Sequence, residues 1–239
     1  MQNPFARTEL LFGKEAIEML HQACVIVFGV GGVGGYVVEV LARSGMGGIC
    51  MVDNDTINPT NLNRQIIALH STLGRLKIDA MEERIHDIYP ACKVEKHAMF
   101  YLPENADSID LAQYDYVVDC IDTVKAKLEI IRRCHRLNIP VISSMGAANK
   151  IDPTAFRVTD ISKTDTDPLA KVLRKTLRKE GITHFKVVCS NETPILPPLD
   201  SVEGKVPASN AFVPATAGLI IGGEVIKDII NNKKQHLNK

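Results

Sequence analysis

The stretch from Val25 to Arg64 constrains the fold more than any other part of the chain. It runs from the apolar segment Val25-Ile26-Val27-Phe28 through Gly29-Val30-Gly31-Gly32-Val33-Gly34 into a helical pattern, then a second apolar segment, and then Asp53. An apolar strand, a glycine turn, a helix and a second strand are the unit from which Rossmann-like, mostly parallel α/β sheets are built, with ligands at the carboxyl ends of the strands. Gly29, Gly31, Gly32 and Gly34 suit a turn whose backbone N–H groups approach a phosphate at the positive end of a helix, where a Cβ would stand in the way. Asp53 comes about 20 residues after the last glycine, at the end of the second strand, where a carboxylate takes a ribose hydroxyl. A nicotinamide-dependent dehydrogenase would share this pattern, so the stretch alone predicts a nucleotide site without a chemistry.

The residues that follow supply the chemistry. Asp53-Asn54-Asp55 is followed by Asn61-Leu62-Asn63-Arg64-Gln65, by Gly74-Arg75-Leu76-Lys77 and by Asp119-Cys120-Ile121-Asp122. Hydride transfer needs none of these, whereas nucleotidyl transfer needs cations on the phosphates and a carboxylate to hold Mg²⁺. Arg64 offers a planar fork and Lys77 a point charge at a helix start; for both, the alternative is an ordinary solvated surface residue. In order and spacing these motifs resemble the ubiquitin-activating-enzyme superfamily in its bacterial form of single-domain adenylyltransferases, over nearly the whole chain. The resemblance implies ATP as the nucleotide rather than NAD, Arg64 and Lys77 on the triphosphate, Asn61 and Gln65 in the nucleotide site, and Asp122 on the Mg²⁺ of ATP. It also implies a homodimer in which Arg7 of one protomer completes the other's site. Asp122 reads equally as the N-cap of the following helix and Asn61 as a turn residue, while Asp119 and Asp55 are weaker candidates.

The alternation of elements continues to about residue 150. Helical spacing is expected over Lys14 to Ala23, Gly32 to Arg43, Leu76 to Tyr89 and Val124 to Leu137, and strands at Ile49 to Val52, Lys93 to His97, Tyr116 to Val118 and Val141 to Ser143. Beyond the turn Asp152-Pro153 come a strand at Phe156 to Val158, a basic helix from Pro168 to Lys179, a strand from Phe185 to Cys189, a proline-rich loop, a final helix from Pro214 and a polar tail from Asn231 to Lys239. With 239 residues and 45% hydrophobic content, one domain is expected, its nucleotide-binding half at 1–150 and a substrate and dimer half at 151–239. The net charge of +0 excludes a global field for nucleic acid or an anionic membrane, so a nucleic-acid surface has to be a local patch. The basic helix offers one: Lys171, Arg174, Lys175, Arg178 and Lys179 fall on one face, with Leu169, Val172, Leu173 and Leu177 on the other. A solvated amphipathic helix explains this pattern as well as an RNA-backbone contact does.

The six cysteines are scattered without any Cys-x-x-Cys pair, which fits a reduced cytoplasmic protein and rules out a structural four-cysteine zinc site. No signal peptide and no membrane span are expected, because Met1 to Leu11 has no charged region before an apolar core and Glu224, Lys227 and Asp228 interrupt the last apolar stretch. Cys189 stands where thioester- or persulfide-forming relatives keep a cysteine, although the apolar strand before it favours a buried thiol.

Within the superfamily, Phe5-Ala6-Arg7, Phe12-Gly13, Ile151-Asp152-Pro153-Thr154, Val158-Thr159-Asp160-Ile161, Lys163-Thr164 and Asp167-Pro168-Leu169 are similar to the branch of tRNA threonylcarbamoyladenosine dehydratases, which also lack the zinc cysteines. That resemblance implies ATP-dependent cyclisation of N6-threonylcarbamoyladenosine in tRNA, with tRNA and a sulfur-relay protein or ubiquitin-like carrier among the possible partners. The alternatives are an adenylyltransferase for the C-terminal Gly-Gly of a ubiquitin-like sulfur carrier, which shares the first half of the chemistry, and a nucleotide-binding protein without catalysis.

Overall fold

The computed structural model describes residues 3–195 and 207–237; the proline-rich loop lies for the most part, and the last two residues of the polar tail wholly, outside the described residues. Two short helices, α1 (Ala6–Phe12) and α2 (Lys14–His21), precede the central unit of β1 (Cys24–Phe28), α3 (Gly34–Arg43) and β2 (Gly48–Val52). Then come α4 (Lys77–Ile88), β3 (Lys93–His97), β4 (Tyr116–Asp119), α5 (Val124–Leu137) and β5 (Val141–Ser144). The chain ends with β6 (Phe156–Asp160), α6 (Pro168–Arg178), β7 (Lys186–Ser190) and α7 (Val213–Leu237). The seven strands form one sheet in the order β3-β2-β1-β4-β5-β7-β6. Every pairing is parallel except that of β6 with β7. The elements after residue 150 therefore extend the same sheet, and the antiparallel β6 closes its far edge.

Burial explains the central strands. Val25 and Val27 of β1 enter a core packed by α2, α3, α4 and α7, while Ile26 and Phe28 enter a second core with α5 and the segment from Tyr101 to Tyr114. A strand covered on both faces reads as a continuous apolar run, as this one does. A third cluster joins Leu128 and Ile131 of α5 to Leu173 and Leu177 of α6 and to Cys189 of β7. Because β2 and β4 flank β1 on opposite sides, the strand order reverses there, and a crevice opens at the carboxyl ends of these strands.

Four local readings of the sequence are corrected. The phosphate-facing helix begins at Gly34, not Gly32. The apolar face assigned to α6 loses Val172, which is 46% exposed, and the basic face loses Arg174, whose guanidinium donates to the Thr164 carbonyl at 2.7 Å. Asp122 is no N-cap: Thr123 holds that position and makes no side-chain cap bond. Helix α1 has no counterpart among the expected elements, since none of its residues is buried and Leu10 and Leu11 point to solvent at 89% and 77% exposure.

Candidate nucleotide site

A cavity of about 480 Å³ lies at the strand ends and is lined by residues from the glycine turn, the loop after β2, the segment around Tyr101, the β4–α5 connection and the loop after β5. Its size suits a bound small molecule. The four glycines divide their work. Gly29 has φ +85°, and a Cβ on Gly34 would lie 1.8 Å from the Gly29 carbonyl oxygen, so these two are demanded by the protein's own packing. Gly31 and Gly32 face the cavity, with the nearest atoms to an added Cβ at 3.8 and 3.4 Å, and leave room for a ligand.

Asp53 braces the turn: one carboxylate oxygen accepts the Val30 N–H at 2.7 Å and the other the Asp55 N–H at 2.8 Å. Lys77, the first residue of α4, is buried, and its ammonium contacts Asp55 at 2.6 Å, so Asp55 acts as an anchor for the lysine at the cavity wall. Arg64 uses one terminal nitrogen on the Thr60 carbonyl at 2.7 Å and on Asn63 at 2.9 Å. Its Nε and second terminal nitrogen have no partner among the described residues. Asn61 is both turn residue and lining residue: it is buried, its Oδ1 accepts the Asn58 N–H at 3.1 Å, and it borders the cavity. Gln65 is buried beside it with Oε1 unpaired among the described residues.

Asp122 lines the cavity with an exposed carboxylate that has no hydrogen-bond or ion-pair partner among the described residues. A free carboxylate facing a space bordered by Arg64 and Lys77 fits a Mg²⁺ ion, which takes one or two carboxylates and completes its shell with water and phosphate oxygens. Asp119 does not fit that role. It is fully buried, accepting from Lys127 Nζ at 3.0 Å, Ser143 Oγ at 2.6 Å and the Ile121 N–H at 3.3 Å. Lys127 also donates to the Ser144 carbonyl at 2.8 Å, so this pair ties together the ends of β4 and β5 that border the cavity.

Sequence reasoning missed one wall. Tyr101 is buried, packs edge-on to Phe28 with ring centroids 4.7 Å apart, and carries a hydroxyl unpaired among the described residues. Burial pushes its phenol up, so it stays neutral, and the residue contributes to the cavity wall. Cys189 lies elsewhere, against α5 and α6; it is 3% exposed and burial pushes its thiol up to about 11. Arg7 sits exposed on α1 and does not line its own chain's cavity.

A mostly parallel sheet with a glycine turn at its switch point, and a cavity there bordered by Arg64, Lys77 and the free carboxylate of Asp122, define the class of α/β proteins that take a nucleotide at the strand ends. The chain belongs to the ThiF family, which matches residues 5–239. It is 48% identical over 245 aligned positions to the tRNA threonylcarbamoyladenosine dehydratase of Bacillus subtilis (strain 168), covering 97% of this chain and 96% of that protein. Crystal structures of Escherichia coli tRNA N6-threonylcarbamoyladenosine dehydratase in complex with AMP and with ATP are 35% and 34% identical, with TM-scores of 0.89 and 0.88, each covering 97% of this chain and 96% of the other. More distant is the molybdopterin-synthase adenylyltransferase of Salmonella typhimurium, 28% identical over 84% of this chain and 76% of that protein.

Proposed function

We propose that the protein is an ATP-dependent tRNA threonylcarbamoyladenosine dehydratase. The observation that carries this reading is the convergence of Arg64, Lys77 and Asp122 on one cavity beside the glycine turn, in a chain 48% identical end to end to a protein of that activity. The substrate carboxylate attacks the α-phosphorus of ATP, the bond to the β-phosphate oxygen breaks, and pyrophosphate leaves. A carbamoyl heteroatom of the same nucleoside then attacks the activated carbonyl, AMP leaves, and the ring is closed with the net loss of one water. In this scheme Arg64 and Lys77 meet the charge that develops on the phosphates, and the unpaired donors of Arg64 are available for that contact. Asp122 would hold Mg²⁺, which supplies charge neutralisation of the polyphosphate. The glycine turn and the Tyr101 wall position the nucleotide, and positioning is the larger part of catalysis when both reacting groups belong to one substrate. No cysteine takes part: Cys189 is buried and protonated, and burial also pushes up Cys120, the cysteine bordering the cavity.

The tRNA is met by the solvent face of α6, where Lys171, Lys175, Arg178 and Lys179 are exposed and Arg174 is not available. Replacing these four by alanine is expected to weaken tRNA binding and lower the log–log salt slope by roughly 0.7–0.9 for each phosphate that is no longer neutralised. ATP–pyrophosphate exchange at saturating modified tRNA should survive in that variant, and Cys189→Ser should keep most of its activity. If Cys189→Ser is inactive, the α6 variant binds tRNA normally and exchange depends on a ubiquitin-like carrier, then carrier adenylylation is the better reading.

The working form is a homodimer in which Arg7 of each protomer reaches the other's nucleotide. The exposed Leu10 and Leu11 on the same helix support this, as an apolar face to be covered. Sedimentation is expected to give a dimer at micromolar concentration, and Arg7→Ala to raise the KM for ATP without dissociating it. A fully active monomer would refute the arrangement. The reading places the protein with tRNA in the cytoplasm, and no helix among the described residues is long and apolar enough to cross a membrane.

A further inference from the structure

On the face of the sheet opposite α3, strands β2 and β3 run parallel with Cys50 paired to Glu95 and Val52 to His97. Strand alternation puts Cys50, Glu95 and His97 on that one face. We propose that these three side chains form a binding site for a thiophilic divalent cation, Zn²⁺ being the ion whose chemistry they match. Their ligating atoms all lie within 4.8 Å of one another, a cluster that no other trio of such side chains forms among the described residues. A tetrahedral ion with bonds of about 2.0–2.3 Å needs donors roughly 3.3–3.6 Å apart, so modest χ rotations bring the three onto one centre.

The surroundings agree with this. His97 Nε2 already contacts one Glu95 oxygen at 2.9 Å, and the Tyr114 hydroxyl donates to the other at 3.0 Å, which orients the carboxylate as an outer partner of a metal ligand does. An ion pair between Glu95 and His97 would need no sulfur beneath it, yet Cys50 forms the closed floor of the cluster. The side chains of Glu95 and His97 are 54% and 26% exposed on an edge strand, so an ion enters from solvent and keeps a fourth position for water. Cys50 brings a sulfur to the cluster, and sulfur ligands select thiophilic ions. Mg²⁺ and Ca²⁺, which prefer oxygen, do not qualify. The His97 carbonyl accepts the Asp53 N–H at 3.2 Å, so an ion here fixes the strand end against which Asp53 is held.

The sequence has no spacing signal for such a site, since 45 positions separate Cys50 from Glu95. It is distinct from the four-cysteine zinc site that the sequence excludes. The test uses the full chain stripped with a chelator and titrated with Zn²⁺ and, as a spectroscopic probe, Co²⁺. One equivalent is expected to bind, with a thiolate-to-cobalt charge-transfer band that persists in millimolar Mg²⁺. Cys50→Ser should remove the band, His97→Ala should remove tight binding, and Tyr114→Phe should weaken it by about 10-fold. Cys189→Ser should bind as the unaltered chain does. Because His97 is on the surface, its variant reports even if Cys50→Ser fails to fold. No stoichiometric binding, or binding unchanged by His97→Ala, would overturn the site.

Discussion

Asp122→Asn is expected to lower adenylate formation by about 10²–10³-fold while thermal stability stays within about 0.5 kcal/mol of the parent. The two halves of this expectation have separate causes. The carboxylate is exposed and has no partner among the described residues, so its loss opens no cavity and strands no buried group. Its only evident work is toward what occupies the cavity it borders with Arg64 and Lys77. The amide keeps the shape and removes the charge that would hold Mg²⁺ on the polyphosphate. ATP–pyrophosphate exchange at saturating Mg²⁺ checks it: exchange within tenfold of the parent would remove Asp122 from the site, and a collapsed melting curve would mean that the residue is structural.

Lys127→Met should have the opposite profile, with stability lost first. Lys127 and Asp119 are both fully buried and 3.0 Å apart, and removing the lysine leaves an uncompensated buried carboxylate. Breaking such a pair costs about 3–5 kcal/mol, which for a chain of this size lowers Tm by roughly 10 °C. The double variant Asp119→Asn with Lys127→Met should recover a large part of the loss, because the buried charge is gone from both sides. Function follows geometry here, since Lys127 holds the Ser144 carbonyl and Asp119 the Ile121 N–H, both at the edge of the cavity. The KM for ATP of the single variant should therefore rise. Unfolding in denaturant measures the stability, and a loss under about 1 kcal/mol would show that the pair is not the tie described.

Legibility in the sequence depends on how local each signal is. The unit from Val25 to Asp53 is legible because buried parallel strands write continuous apolar runs and a close turn writes glycines. Lys77 is legible as the first residue of a periodic helix. The division of labour among the glycines is not, because it depends on where the Gly29 carbonyl lies in space. Asp119 and Asp122 are three positions apart and look alike in sequence; only the distant Lys127 and Ser143 separate a buried tie from a free carboxylate. Tyr101 reaches the cavity from a loop with no period to announce it, and Arg174 leaves the basic face of its helix through a bond to Thr164, ten residues earlier. Helix α1 buries none of its residues against its own chain, so it leaves no apolar stripe to read.

One conversion tests the proposed activity most directly. The protein is to be incubated with ATP, Mg²⁺ and tRNA carrying N6-threonylcarbamoyladenosine, and the tRNA then digested to nucleosides and analysed by mass spectrometry. The modified nucleoside is expected to lose one water, with one AMP and one pyrophosphate formed for each ring closed, and neither product should appear without ATP. An unchanged nucleoside, with ATP consumed only when a ubiquitin-like carrier protein is supplied, would contradict the proposed function.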